Sequence, residues 1–108
     1  MVRTVAVQYY ESMDENAWLA GLLEGEGCFF AEKGRPRIRL RMTDRDVVER
    51  AASAMGSHAI RDDWHARNRG AQVNWVVNLS GERARSVMLR IRPYMGERRG
   101  RRIDEVLG

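Results

Sequence analysis

Residues 19 to 27 read LAGLLEGEG, an apolar run that breaks into Gly21, Gly25 and Gly27 with Glu24 and Glu26 set between them. Any metal held by this chain would have to be held by oxygen. Nothing else in the chain offers a softer metal site. Cys28 is the only cysteine and there are two histidines, too few for structural zinc and too few for an internal disulfide.

These residues sit in a chain of 108 residues, 44% hydrophobic and 31% charged. That length and balance predict one soluble globular domain over 1–108, with residues 1–11 as an arm or short strand and 12–107 as the core. No apolar run reaches membrane-spanning length and no start resembles a signal peptide, so the expected compartment is cytoplasmic, with no membrane partner. The formal net charge is +4. It is carried almost wholly by arginine, Lys33 being the only lysine. Arginine's planar fork suits phosphates and guanine edges, so the bias favours a nucleic-acid partner, although a solvated basic surface gives the same composition.

Several elements can position the motif. Ser12 and Glu15 have capping-box spacing, and Ala17, Trp18, Leu22 and Leu23 recur at helical intervals, which predicts a helix from about Met13 to Glu24. The segment CFFAEKGRPRIRLRM predicts a hairpin turning at KGRP. In its second strand Arg37, Arg39 and Arg41 alternate with Ile38, Leu40 and Met42, so one face is basic and the other apolar. Thr43 and Asp46 open a second helix, with Val47, Val48, Ala51, Ala52 and Met55 on its apolar side and Gly56 at its end. A second hairpin is expected from HAIRDDWHAR through a turn at NRGA into QVNWVVNLS, with Val73, Trp75, Val77 and Leu79 opposing Gln72, Asn74 and Asn78. Ser80 is placed to cap a third helix ending before Pro93, and a further helix spans about Glu97 to Leu107. Trp18, Trp75 and Cys28 are expected to pack inside, and His58 and His65 to lie in turns or strands. Four strands with one apolar face each must bury that face under helices and leave the other polar.

LAGLLEGEG resembles the nine-residue motif of the LAGLIDADG homing endonucleases, matching it at Leu19, Ala20, Gly21, Leu22 and Gly27, with glutamate at both acidic positions. Further likeness lies in RMTDRDVVERAASAMG, VNWVVNLSGERA and RPYMGERRGRRIDEVL, so the resemblance spans roughly residues 12 to 107. It implies an α+β fold of order α-β-β-α-β-β-α, with a four-stranded antiparallel saddle-like sheet and helices on one face, the order also read from the residues themselves.

The same resemblance implies a site-specific endonuclease of the homing type. It would hydrolyse double-stranded DNA as a homodimer on a near-palindromic target, with Mg²⁺ (or Mn²⁺), no organic cofactor, and short 3′ overhangs. Glu26 and the Gly25 carbonyl would be metal ligands, and Glu24 a structural residue. Leu19, Gly21, Leu22 and Gly25 would form the dimer interface, since glycines four apart let helix backbones approach closely. Glu26, Arg41 and Arg98 would be the catalytic residues, Arg99 being an equal match to the position of Arg98. Lys33, Arg37, Arg39, Arg41, Asn74 and Asn78 would contact DNA. Glu26 is one methylene longer than the family's usual aspartate, and arginine stands where a catalytic-side lysine is usual. The alternative reading is a catalytically inactive LAGLIDADG-type protein that binds DNA or assists RNA splicing.

Overall fold

The computed structural model of the chain describes residues 5–62 and 73–108. The turn expected at NRGA, Gln72 and His65 lie outside the described residues. Helix α1 spans Val5–Glu26 and runs straight into strand β1, Gly27–Glu32. Strand β2, Arg35–Met42, leads to α2, Arg45–Ala54, and then to β3, Ile60–Asp62, and β4, Asn74–Ser80. Helix α3, Glu82–Ile91, a single 3₁₀ turn at Arg92–Tyr94, and α4, Glu97–Leu107, complete the order.

The sheet is antiparallel, with strands side by side as β1-β2-β4-β3. Its inner face buries Phe29, Ile38, Leu40, Val77 and Leu79 against Leu19, Leu23, Val48, Val87, Met88 and Ile103 of the helices. The alternation in β2 is realised as expected: Ile38 and Leu40 are 1% and 0% exposed while Arg39 and Arg41 stand on the open face. Trp18 and Trp75 are half-buried and pack against this core, each under an arginine: Arg50 lies 3.8 Å from the Trp18 ring centre and Arg45 4.4 Å from that of Trp75.

Several local expectations are corrected. The segment from Val5 to Glu11, expected to be extended, belongs to α1, so Ser12 falls inside the helix and cannot cap it. The first hairpin turns at Lys33 and Gly34 alone, with φ of 54° and 76°, while Arg35 and Pro36 are already in β2. Two left-handed residues match the twist of paired strands, and glycine takes the second without strain. Helix α3 is preceded by Gly81 at φ 67°, not by a Ser80 cap, because Ser80 still pairs with Arg37 in the sheet. Cys28 is exposed, its position on β1 falling on the open face directly opposite Arg39.

The chain's last helix is tied back at both ends of its face. Gly100 and Ile103 are buried, and Arg92 donates through Nε and Nη2 to both oxygens of Asp104 at 3.0 and 2.9 Å. Those hydrogen bonds hold the Asp104 carboxyl below its usual range. No helix among the described residues is long and apolar enough to cross a membrane.

Candidate nucleic-acid interface and cleavage site

Helix α1 ends at Glu26 because the chain turns there into β1, so the exposed Glu26 carboxylate stands at the junction of helix and sheet. A helix C-terminus leaves carbonyls without intrahelical donors and carries partial negative charge. Arg99 answers that charge. From α4 its guanidinium donates to the carbonyls of Leu23 at 2.8 Å and Glu24 at 3.2 Å, and also to that of Gly27. The same group lies 4.8 Å from the centre of the Phe29 ring. Arg99 is thus a brace for the foot of α1.

Arg98, its neighbour, is exposed and lines a cleft of about 430 Å³ with Gly27, Cys28, Phe30, Arg101 and Arg102. Both arginines that match the one family position line this cleft, but Arg99 also holds the motif's backbone through its hydrogen bonds, while Arg98 is exposed beside it. Arg102 reinforces the edge by donating from Nε to the Phe29 carbonyl at 3.0 Å. Neither the brace nor this edge contact has a local sequence signal, since each joins residues more than seventy positions apart.

The Glu24 side chain lies against the start of α4. Its Oε1 lies where a side chain on Gly96 would sit, 2.7 Å from the position of a Cβ, and its Oε2 is buried with no hydrogen-bond partner among the described residues. Glu24 thus packs between α1 and the start of α4, in keeping with a structural role. Among the described residues no group of three or more histidine, cysteine, aspartate or glutamate side chains gathers to hold a metal. What the foot of α1 offers is a small all-oxygen set, the Glu26 carboxylate with the Gly25 carbonyl before it. That chemistry fits a hard divalent cation completing its shell with water and phosphate oxygens.

Along α1 the four residues expected at a dimer seam divide. Leu19 is 0% exposed, sealed in the chain's own core, and so is withdrawn from the interface set. Leu22 is half-buried, while Gly21 and Gly25 are exposed and a Cβ on either would meet nothing within 4 Å.

The open face of the sheet carries the basic row. Arg37, Arg39 and Arg41 stand across from Ser80, Asn78 and Val76 on β4, with Cys28 and Phe30 beside them on β1. Arg37 pairs with Glu32 at 3.5 Å and Arg41 with Asp62 at 3.3 Å, whereas Arg39 donates from Nε to the Asn78 side-chain oxygen at 2.9 Å. Arg41 is the arginine of the row nearest the motif end of β2, one residue beyond Leu40, which pairs with Gly27. Lys33 is exposed at the hairpin tip, and Asn74 pairs with Asp62 at the other edge of the sheet.

No family model and no curated protein matches the sequence. Among solved structures, the chain superposes on the homing endonuclease I-CvuI bound to its target in the presence of 2 mM Ca, with a TM-score of 0.70 at 15% identity. It also superposes on I-CvuI bound to the I-CreI target in the presence of 2 mM Mg, a structure in which the DNA is not cleaved, with a TM-score of 0.69 at 17% identity. Each match covers 91% of this chain and 66% of the other, so the chain spans about two thirds of the length of those proteins. Over its described residues this chain has the fold of the homing endonucleases, with LAGLLEGEG closing its first helix.

Proposed function

We propose that the chain is a site-specific double-stranded DNA endonuclease of the homing type, dependent on a divalent cation and acting as a homodimer on a near-palindromic site. The observation that carries this reading is the placement of Glu26: exposed, at the end of the motif helix, where the chain enters a sheet whose open face bears Arg37, Arg39 and Arg41. A strand pair with a basic open face suits the major groove, which admits a two-stranded ribbon.

In this reading Glu26 and the Gly25 carbonyl hold the cation, Mg²⁺ or Mn²⁺. When bound it would stabilise the charge that develops on the attacking and leaving oxygens of an in-line displacement. Arg98, which lines the cleft with Gly27, would bind the phosphate being cut. Arg41, held by Asp62, can orient water at the motif end of its strand, while Arg99 fixes the helix foot from which Glu26 projects. The remaining row, with Lys33 and Asn74, would contact bases or backbone along the groove.

These 108 residues carry one motif and one such carboxylate, so cutting both strands calls for a second copy of the unit. The exposed Gly21 and Gly25 support that arrangement: inside a helix each costs about 0.5–1 kcal/mol relative to alanine. No contact among the described residues requires either to lack a side chain. A facing helix would.

The test is cleavage of the uninterrupted host-locus DNA in Mg²⁺ by the wild type and by Glu26→Gln, with binding measured in parallel. Cutting by the wild type alone, with binding kept by both, is the expected result. Binding without cutting by either protein would leave a DNA-binding protein that is catalytically silent.

A further inference from the structure

The three arginines of the open face differ in what holds them. Arg37 and Arg41 face carboxylates, Glu32 at 3.5 Å and Asp62 at 3.3 Å, so part of their charge is neutralised within the chain. Arg39 is held by a neutral amide, its Nε donating to Asn78 Oδ1 at 2.9 Å across the β2–β4 ladder. On its other flank the guanidinium lies 5.3 Å from the centre of the Phe30 ring. Phe30 and Asn78 thus grip Arg39 from neighbouring strands, and the bond to Asn78 consumes the one donor, Nε, that points back along the side chain.

Among the described residues Nη1 and Nη2 have no hydrogen-bond partner and no carboxylate offsets the charge of the exposed Arg39. Guanine presents O6 and N7 side by side in the major groove, and a planar fork meets that pair bidentately; no other base edge there offers two adjacent acceptors. We infer that Arg39 is a guanine-reading residue and that Asn78 is not itself a base reader but the positioning residue that orients it, with Phe30 as the stacking support. This rests on the proposed reading of the sheet as a DNA-binding face. Since Arg39 pairs with Cys28, two residues beyond Glu26, the guanine lies toward the centre of the site, away from the hairpin tip at Lys33.

The experiment is selection of a randomised duplex DNA library by the full chain, followed by affinity measurements on the selected duplex. The wild type is expected to fix guanine at one inner position of each half-site, favouring it over adenine by roughly five- to 150-fold, the range of one good bidentate pair. Replacing that guanine by 7-deazaguanine, which lacks the N7 acceptor, should weaken wild-type binding. Asn78→Ala should flatten the guanine preference and the 7-deazaguanine penalty at that position while preferences elsewhere persist, and Asn78→Gln should restore part of both. Circular dichroism on each variant confirms the fold. A wild-type site with no fixed inner guanine overturns the inference and leaves the proposed function standing. Asn78→Ala binding that falls equally for all bases at that position would make Asn78 a direct DNA contact, and also overturns it. Failure of the wild type to bind any duplex overturns both.

Discussion

On one side of α1, Leu19, Ala20 and Leu23 are 0%, 1% and 0% exposed in the chain's own core; on the other, Gly21 and Gly25 stand open, with nothing within 4 Å of the place a Cβ would take. Both sides belong to the same nine residues, yet only one of them packs against the rest of the described chain. The buried side is fixed by the sheet and by α3, and its residues are large because the space is closed. The open side has small residues where the chain's own packing calls for none. A helix designed only for its own domain would put alanine or leucine there and gain stability. The contrast separates the residues that fold this chain from those that the proposed seam would use.

The comparison breaks first on the closed side. Leu23→Ala removes a fully buried side chain from the junction of α1 and the core, and should lower stability by about 2–5 kcal/mol. Chemical denaturation measures this directly. A loss below about 1 kcal/mol would mean that the motif helix is not part of the folding core, and the two sides would no longer differ in kind.

Next comes the foot of the helix, where the two sides meet. A Cβ on Gly27 would lie 2.8 Å from Leu23 Cδ2, 2.9 Å from the Leu23 carbonyl and 3.1 Å from its Cα. Two of those three atoms are backbone and cannot swing aside. Gly27→Ala should therefore cost about 1–3 kcal/mol, as overpacking does, and shift the position of Glu26 relative to β1. Arg99→Ala, which withdraws a charged donor from the carbonyls of Leu23, Glu24 and Gly27, should cost about 1.5–3 kcal/mol, discounted somewhat because Arg99 is only half-buried. In a cleavage assay Arg99→Ala should lower activity through displacement of Glu26, whereas Arg98→Ala should leave stability within about 0.5 kcal/mol and lower activity directly. Equal losses of stability in both variants would undo the division of labour between the two arginines.

How much of this was legible from residues alone depended on the range of the interaction. The strict alternation of Arg37, Arg39 and Arg41 with Ile38, Leu40 and Met42 declared a two-faced strand, because side-chain direction in a strand is a local property of period two. The element order followed from similar local periodicities. The start of α1 did not: Val5 to Glu11 alternates like a strand but is helical, since its neighbours continue a helix that local pattern does not announce. Nor could spacing assign Leu19. With Leu19, Leu22 and Leu23 all apolar, the helix presents leucine in two directions, and only the placement of the sheet shows that Leu19 faces inward. The Arg99 brace and the Arg39–Asn78 pair join residues 72 to 76 and 39 positions apart, so they exist only once the tertiary fold has brought α4 to α1 and β4 to β2.

On the open side the expected change in folding is a gain, not a loss, and its sign is the sharpest test. Gly21→Leu places a good helix former in a helix interior with free space around it, so the single chain should gain up to about 1 kcal/mol in stability. If Gly21 and Gly25 line a seam between two motif helices, the added side chain holds the backbones apart. The variant should then sediment as a monomer and fail to cut both strands of a target, and its unfolding transition should lie above that of wild type diluted until it too is monomeric. A dimer that persists in Gly21→Leu would detach the glycines from the seam and return them to the ordinary business of ending a helix. A variant that is monomeric, inactive and more stable than the wild-type monomer would mean that stability was given up along this one edge so that two chains could meet there.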